Sequence, residues 1–315
     1  MPTVSVVMAV HNGEPYLREA IDSILAQTYN EFEFNIINDG STDKTDEIIR
    51  SYRDARIKIY SQEKKGIPAS VNRGIRCSKG AYIARMDADD ISEQTRFEKE
   101  VQFLNCNPDH IQVGTNASLI DEDGFYLSDL NMPAEDKDIR NSYGQKGSLP
   151  FVNGSVMYRK SAAETCGLYD ERIITGQEDF ALFIKMIHLG KMENLSDRLY
   201  RHRITPYGIT MLPRKLSVLK MTINKRLLTG VVPTEDIKRL RSLQEKISSR
   251  QRKALYNLAL GKVSIEYRWE PKCACKYFWR SISLNSWYPT TWANLAFCFM
   301  PRSWVSAWKK SRVGF

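Results

Sequence analysis

Several patterns that would assign this chain at once are missing. Its six cysteines, Cys77, Cys106, Cys166, Cys273, Cys275 and Cys298, include no C-x-x-C spacing, so neither a zinc site nor a disulfide framework is indicated. No stretch approaches the ~20 apolar residues of a membrane-spanning helix. The longest uncharged run, Ser281 to Met300, is broken by Asn285, Pro289 and Asn294. Met-Pro-Thr leads straight into an apolar strand, without the basic region, apolar run and cleavage site of a signal peptide. No G-x-G-x-x-G follows that strand, which argues against a nicotinamide dehydrogenase. With 42% hydrophobic and 26% charged residues in 315, a disordered chain, a collagen-like fibre and a polytopic membrane protein are excluded. The expectation is a cytoplasmic protein with one large core or two domains.

Charge is present but unevenly placed. From Arg214 to Phe315 there are 21 Lys and Arg against 5 Asp and Glu, while the preceding residues carry 25 against 32. All six Trp lie in the basic part, from Trp269 to Trp308. An acidic first part, residues 1–212, is thus expected to precede a basic, Trp-rich helical part, residues 213–315.

Apolar runs at strand length alternate with runs at helical spacing through the first ninety residues. Strands are predicted at Val4–Val10, Phe32–Asn38, Ile57–Tyr60 and Ala81–Ala84, and helices at Tyr16–Ala26, Asp43–Tyr52 and Ile67–Cys77. That alternation predicts an α/β fold with a mostly parallel sheet covered by helices. Ligands of such sheets sit beyond the carboxyl ends of the strands. Three of those ends carry polar residues: Asn12 and Glu14, then Asp39, then Asp87 and Asp89. Carboxylates converging on one crevice repel one another unless a cation or hydrogen-bond donors hold them.

Each acidic group has two readings taken alone. Asp87-Ala88-Asp89 is a solvated loop or a hard-oxygen site for Mg²⁺ or Mn²⁺ with a substrate diphosphate. Asp39 is a turn residue or an acceptor for a nucleobase N–H. Glu178-Asp179 opens an apolar helical segment, where acids favour the helix dipole or serve as a general base.

Together these segments resemble the family 2 glycosyltransferases. The resemblance is carried by Val4–Val10 with Asn12-Gly13-Glu14, Ile24 to Thr28, Asn38 to Asp43, Gly66 to Gly74, and Ile83 to Asp90 with Arg96. It continues through Phe151 to Met157, Gly167 to Asp170 and Glu178-Asp179, in order, from about Thr3 to about Thr210. The resemblance implies a GT-A fold, Rossmann-like, binding a nucleotide-diphosphate sugar, most often a UDP-sugar. By the same resemblance Val10, Asn12 and Glu14 line the nucleoside pocket, Asp39 accepts from the base, Gly66 and Asn72 border the nucleotide, and Asp87, Ala88 and Asp89 form a DxD motif. Asp89 is the implied Mn²⁺ or Mg²⁺ ligand, with Asp87 beside it and His202, placed on a flexible loop, as a further candidate. Asp179 is the implied general base of an inverting hexosyl or N-acetylhexosaminyl transfer, with Glu178 the second choice. Asn38 stands where the family often has a first Asp, and Ala9-Val10-His11 where many members have Pro and Tyr.

Beyond Pro213 the resemblance fades, and helices are predicted at Arg214–Thr229, Thr234–Leu260, Lys272–Leu284 and Thr290–Met300. Trp and Tyr mixed with Lys and Arg suit an anionic bilayer surface, with Trp304, Trp308, Lys309, Lys310 and Arg312 as a last anchor. A small helical subdomain with inward Trp is the plain reading of the same residues. No nucleic-acid motif accompanies the charge, so no nucleic-acid partner is expected. The functional expectation is a metal-dependent transferase at the inner membrane face, acting on a glycan or lipid-linked acceptor in bacterial surface polysaccharide synthesis. The alternative is a non-catalytic nucleotide-sugar binding or membrane-assembly protein that keeps the fold.

Overall fold

The computed structural model describes residues 2–206, 208, 212–265, 270–285 and 289–300. Its first elements follow the alternation in the sequence: β1 (Val4–Val10), α1 (Leu17–Leu25), β2 (Phe32–Asp39), α2 (Thr45–Ser51), β3 (Ile57–Gln62), α3 (Ile67–Cys77) and β4 (Tyr82–Asp87). β1 and β2 are buried along nearly their whole length, as strands covered on both faces must be. After these come β5 (Ile91–Ser92), α4 (Arg96–Cys106), β6 (His110–Ile120), β7 (Tyr126–Leu130), α5 (Asp136–Asn141), β8 (Met157–Arg159), α6 (Lys160–Thr165), α7 (Glu178–Met186) and β9 (Lys191–Arg203).

Among the described residues the strands form one sheet in the order β3-β2-β1-β4-β8-β6-β9-β5, with β7 paired to β6. β3, β2, β1 and β4 are mutually parallel; β8 runs antiparallel to β4 and β6, and β5 antiparallel to β9. The parallel half is the part visible as alternation in the sequence, and the sheet as a whole is mixed. Register places Val10 beside Asn38, Asp39 beside Gln62 and Ala9 beside Asp87. The polar strand ends therefore share one edge of the sheet.

The chain packs into two compact units: residues 1–118, 129–203 and 218–241, and residues 119–128, 204–217 and 242–315. The first contains most of the sheet. The second contains the helices α10 (Ser249–Val263), α11 (Pro271–Leu284) and α12 (Pro289–Phe297), following α8 (Arg214–Leu227) and α9 (Thr234–Glu245). Leu258, Ala274, Phe278, Ile282 and Leu295 form its core. The single helix expected over Thr234–Leu260 is two. Ser248 accepts from the Gln251 backbone N–H while the Gln251 side chain returns to the Ser248 backbone, a capping box that starts a new helix and that apolar periodicity alone hides.

Candidate active site

The loop after β1 is stitched to the loop after β2. Asn12, at φ 55, accepts from the Thr42 backbone N–H at 2.8 Å and donates its own to Ser41 Oγ. Gly13 N–H donates to Thr45 Oγ1, Glu14 N–H to Asp43, and Glu14 Oε2 accepts from Lys44 N–H. His11 Nδ1 lies 2.9 Å from the Asp39 carbonyl and its Nε2 2.8 Å from Lys64 Nζ. A carbonyl accepts and an ammonium donates, so this imidazole carries its proton on Nδ1. Val10 is buried at the end of β1.

Asp39 is almost fully buried. Its Oδ1 accepts from Gln62 Nε2 and Lys65 N–H, and its Oδ2 from Gly66 N–H, each at 2.8 Å. Burial works against its charge, but these hydrogen bonds hold its pKa below the usual aspartate value. Gly66 makes its contact at φ 94, a backbone conformation costly for residues with a Cβ. The Ser70 hydroxyl acts in the same direction on this carboxylate. Asn72, also buried, donates to the Tyr169 carbonyl and Glu171 and accepts from Tyr169 N–H. Its amide holds that segment in place.

Asp87 ends β4 and Asp89 follows Ala88, both recessed rather than sealed; one third of the Asp87 side chain is exposed. Burial, then the charges of Asp90 and Asp87, push the Asp89 carboxyl up to about 7, and burial raises Asp87 as well. Gly154 lies so close that an added Cβ would sit 1.9 Å from the Tyr200 hydroxyl and 3.1 Å from Asp87 Oδ2. His202 is on strand β9, paired to β5 through Ile91–Arg201, and not on a flexible loop. Its Nδ1 lies 3.0 Å from Asp90 Oδ2, while Asp90 Oδ1 accepts from Arg203 N–H. Burial alone would lower the His202 pKa, but Asp90, with Asp89 and Asp87 nearby, drives it up to about 9. No cluster of three or more His, Cys, Asp or Glu among the described residues forms a ready metal cage. The donor set still fits a hard divalent cation: two recessed carboxylates, both raised by burial and the Asp90 charge, completed by phosphate oxygens of a ligand.

Glu178 and Asp179 are both buried in the first turn of α7. Burial, then repulsion from Glu178, raises Asp179 to about 8, and burial likewise raises Glu178. The groups around this pair were not singled out from the sequence. Arg85, inside β4 and fully buried, donates to the Val7 carbonyl and meets Asp87 Oδ1 at 3.3 Å. Burial opposes its charge, yet Tyr169, Asp87 and Asp179 raise its pKa, so one buried cation serves both acidic groups. Lys220 of α8 is also in this field: burial lowers its pKa, and Glu178 and Asp179 oppose that. Counting Lys220 with a basic tail concealed its place beside the acids.

Among the described residues, seven of sixteen buried side-chain polar atoms without a hydrogen-bond partner belong to this neighbourhood: Arg85 Nε, the Tyr143, Tyr158 and Tyr169 hydroxyls, Gln177 Nε2, Glu178 Oε2 and Asp179 Oδ1. Each such group costs about 1–3 kcal/mol, so their concentration sets this neighbourhood apart from the ordinary packing of the described core. The second unit has a cavity of about 320 Å³ lined by Asp121, Tyr256, Tyr277 and Arg280 among others; none of the expected site residues borders it.

The sequence profile described as Glycosyl transferase family 2 matches residues 5–167. The chain belongs to family 2 of the glycosyltransferases. This family 2 chain is 36% identical over 208 residues to the putative glycosyltransferase EpsE of Bacillus subtilis, covering 64% of this chain and 73% of that protein. It is 33% identical over 215 residues to the O-antigen biosynthesis glycosyltransferase WbnJ of Escherichia coli, covering 64% and 79%. Among solved structures it resembles S. aureus TarS 1–349 in complex with UDP-GlcNAc, with TM-score 0.56 at 14% identity over 99% of this chain and 92% of that one. It also resembles the mannosyltransferase PcManGT of Pyrobaculum calidifontis in complex with GDP-Man and Mn²⁺, with TM-score 0.56 at 16% identity over 96% and 87%. At those identities the likeness establishes the fold: this glycosyltransferase has the GT-A architecture.

Proposed function

We propose that this glycosyltransferase moves a sugar from a nucleotide-diphosphate donor, a UDP-sugar, to a glycan or lipid-linked acceptor with inversion at the anomeric carbon. The observation that carries this reading is the juxtaposition, around Arg85, of the recessed Asp87 and the buried Asp179 with its unpartnered Oδ1. Asp39 accepts from a base N–H of the donor, and the backbone of Gly66 borders the nucleotide, as do Val10, Asn12 and Glu14 through the loop they order. Asp89 and Asp87 hold Mn²⁺ or Mg²⁺ together with the diphosphate; when bound, the cation neutralises charge on the departing nucleoside diphosphate. His202 donates to Asp90 beside that site.

Asp179 takes the proton of an acceptor hydroxyl as that oxygen bonds to the anomeric carbon. The bond from that carbon to the diphosphate oxygen breaks with its electrons passing to the leaving group, and a nucleoside diphosphate departs. A carboxyl poised near pKa 8 is a stronger base than an ordinary aspartate once ionised. Thermal unfolding with UDP, GDP and their sugars, with and without Mn²⁺, tests the reading, because a ligand bound only by the folded state raises the midpoint. Metal-dependent stabilisation by UDP and not GDP is expected; no response to any nucleotide in a folded sample overturns it.

Surface polysaccharide synthesis is part of the proposal, supported by the similarity to an O-antigen biosynthesis enzyme, as is a division between a catalytic part, 1–212, and a basic helical part, 213–315. Cytoplasmic placement at the inner membrane face is the last part of it. No helix among the described residues is long and apolar enough to cross a membrane. Trp279 and Trp292 meet at 5.9 Å and are about half exposed, with Lys276 and Arg280 on the same helix as Trp279. Rings and cations so placed suit an anionic bilayer surface. Trp304, Trp308, Lys309, Lys310 and Arg312 lie outside the described residues. Salt-sensitive binding to anionic liposomes, absent with oligonucleotides, is expected; the reverse would refute the membrane assignment.

A further inference from the structure

The cavity of the second compact unit, about 320 Å³, is at the small end for a ligand site. Three segments build it: the turn between β6 and β7, helix α10 and helix α11. Asp121 shapes the turn. Its Oδ1 accepts from the Asp123 and Phe125 backbone N–H groups, and its carbonyl accepts from Gly124 N–H. The turn is tied to α10, because Glu122 N–H donates to the Tyr256 hydroxyl at 3.1 Å. Tyr256 and Leu260 are buried with Leu127 in one apolar cluster, against which Tyr277 of α11 packs. Packing thus fixes two tyrosine rings in the cavity wall. The rim differs in kind. Glu122, Asp123, Arg280 and Ser283 are exposed, and Asn257 and Tyr277 are partly so, so a ligand reaches them from solvent. Asn257 is steadied by its donation to the Lys253 carbonyl at 2.8 Å, and Ser283 by its donation to the Arg280 carbonyl at 2.9 Å. Burial, then Asp123 and Asp121, raise the pKa of the Glu122 carboxyl, while Lys253 and Arg280 oppose that shift. Both signs of charge therefore act on one opening.

Mixed charge argues against a simple ion. A phosphate would face Asp121, Glu122 and Asp123. A metal ion would face Arg280, and the Asp121 carboxylate already holds the turn. A neutral ligand rich in hydroxyls suits the set, since carboxylates only accept, a guanidinium only donates, and a hydroxyl does either. The tyrosine walls add ring faces whose negative quadrupole attracts polarised C–H groups. A pyranose carries both features, with hydroxyls around its edge and C–H groups on its faces. We propose that this cavity binds one sugar residue of a neutral glycan, hydrogen-bonded by Glu122, Asn257 and Arg280 and packed on Tyr277, as a carbohydrate site separate from the one that transfers. Phe125 and Tyr126 of the same turn are exposed and offer ring surface to the next residues of the glycan. The inference does not depend on the transferase reading, which uses other residues.

The full chain, without donor, is tested by saturation-transfer NMR against the methyl glycosides of glucose, galactose, mannose, rhamnose and N-acetylglucosamine. At least one should bind. Arg280→Met removes an exposed donor and should weaken that binding about tenfold or more, as the loss of a hydrogen bond to a charged group does. Its melting temperature should stay within about 2 °C of the parent, as for other surface substitutions. Ser283→Trp, which fills the opening from its rim, should abolish the binding. Metal-dependent stabilisation by UDP should be unchanged in both variants. Failure of every glycoside to bind overturns the inference. So does binding that survives both substitutions, which places the sugar elsewhere, and so does displacement of the sugar by spermidine or inorganic phosphate, which makes the cavity an ion site. Asp179→Asn keeps the two readings apart: it should lose turnover yet retain the glycoside signal that Ser283→Trp loses.

Discussion

Replacing Asp179 by Asn should make the protein more stable and inactive at once. Burial and repulsion from Glu178 raise this carboxyl from 3.8 to about 8, which corresponds to on the order of 5 kcal/mol against its ionised form in the fold. Because the folded pKa lies above the unfolded one, the folded state keeps a proton that the unfolded chain releases between about pH 4 and about pH 8. Wild-type stability therefore falls as pH rises through that window and levels off above it. Asn has no such proton. The advantage of the variant should be near zero at about pH 4, widen by about 1.4 kcal/mol per pH unit, and reach a plateau above about pH 8. At about 2–4 °C per kcal/mol for a domain of this size, thermal unfolding in EDTA across a pH series resolves it easily. The wild-type transfer rate should climb as Asp179 ionises toward about pH 8, with the variant at background throughout. A stability gap that stays flat from about pH 5 to about pH 9, or a variant that melts lower at pH 8, would refute the burial and repulsion on which the base assignment relies.

Asp89→Ala should lose the Mn²⁺-dependent part of nucleotide stabilisation in the same melting assay; full retention would remove its metal role. Asn72→Ala strands the Tyr169 backbone groups and should cost about 1–3 kcal/mol, read as a lower midpoint in urea, and lower kcat more than it weakens UDP binding. Glu100→Ala leaves the Arg96 guanidinium unpaired where both side chains are fully buried, and should cost about 3–5 kcal/mol in chemical denaturation. A loss below about 1 kcal/mol there would show that water or Tyr200 compensates the charge.

Several residues behind the family resemblance hold the fold rather than the ligand. Gln27 donates to Ser92 and the Glu93 carbonyl and accepts from Phe97 N–H, tying α1 to the segment after the DxD motif. Arg96 joins Glu100 to the Arg85 and Val156 carbonyls. Arg203 donates to the Asp89 carbonyl and pairs with Glu19. Their motifs are legible in the sequence, but most of their partners are not, since pairings such as Gln27–Ser92 and Arg203–Asp89 span tens of residues or more and depend on which strands lie side by side.

Local pattern determined a good deal of this protein. Largely apolar runs defined β1 and β2, helical spacing defined α3 to the residue, and the acids at three strand ends could be read as one crevice because parallel strands with short crossovers end on the same edge. Pairing between distant segments was beyond its reach. β8 is three residues long, and β9 pairs at Tyr200 and Arg201 with β5, over a hundred residues earlier in the chain; its basic run gives no such signal. Arg85 is one cation in an apolar strand until folding sets it between Asp87 and Asp179, and Lys220 one of many tail charges until α8 brings it beside Glu178. Charge in sequence is only a count. Its chemistry is decided by burial and by which opposite charge shares the low-dielectric space, and only the tertiary structure decides that.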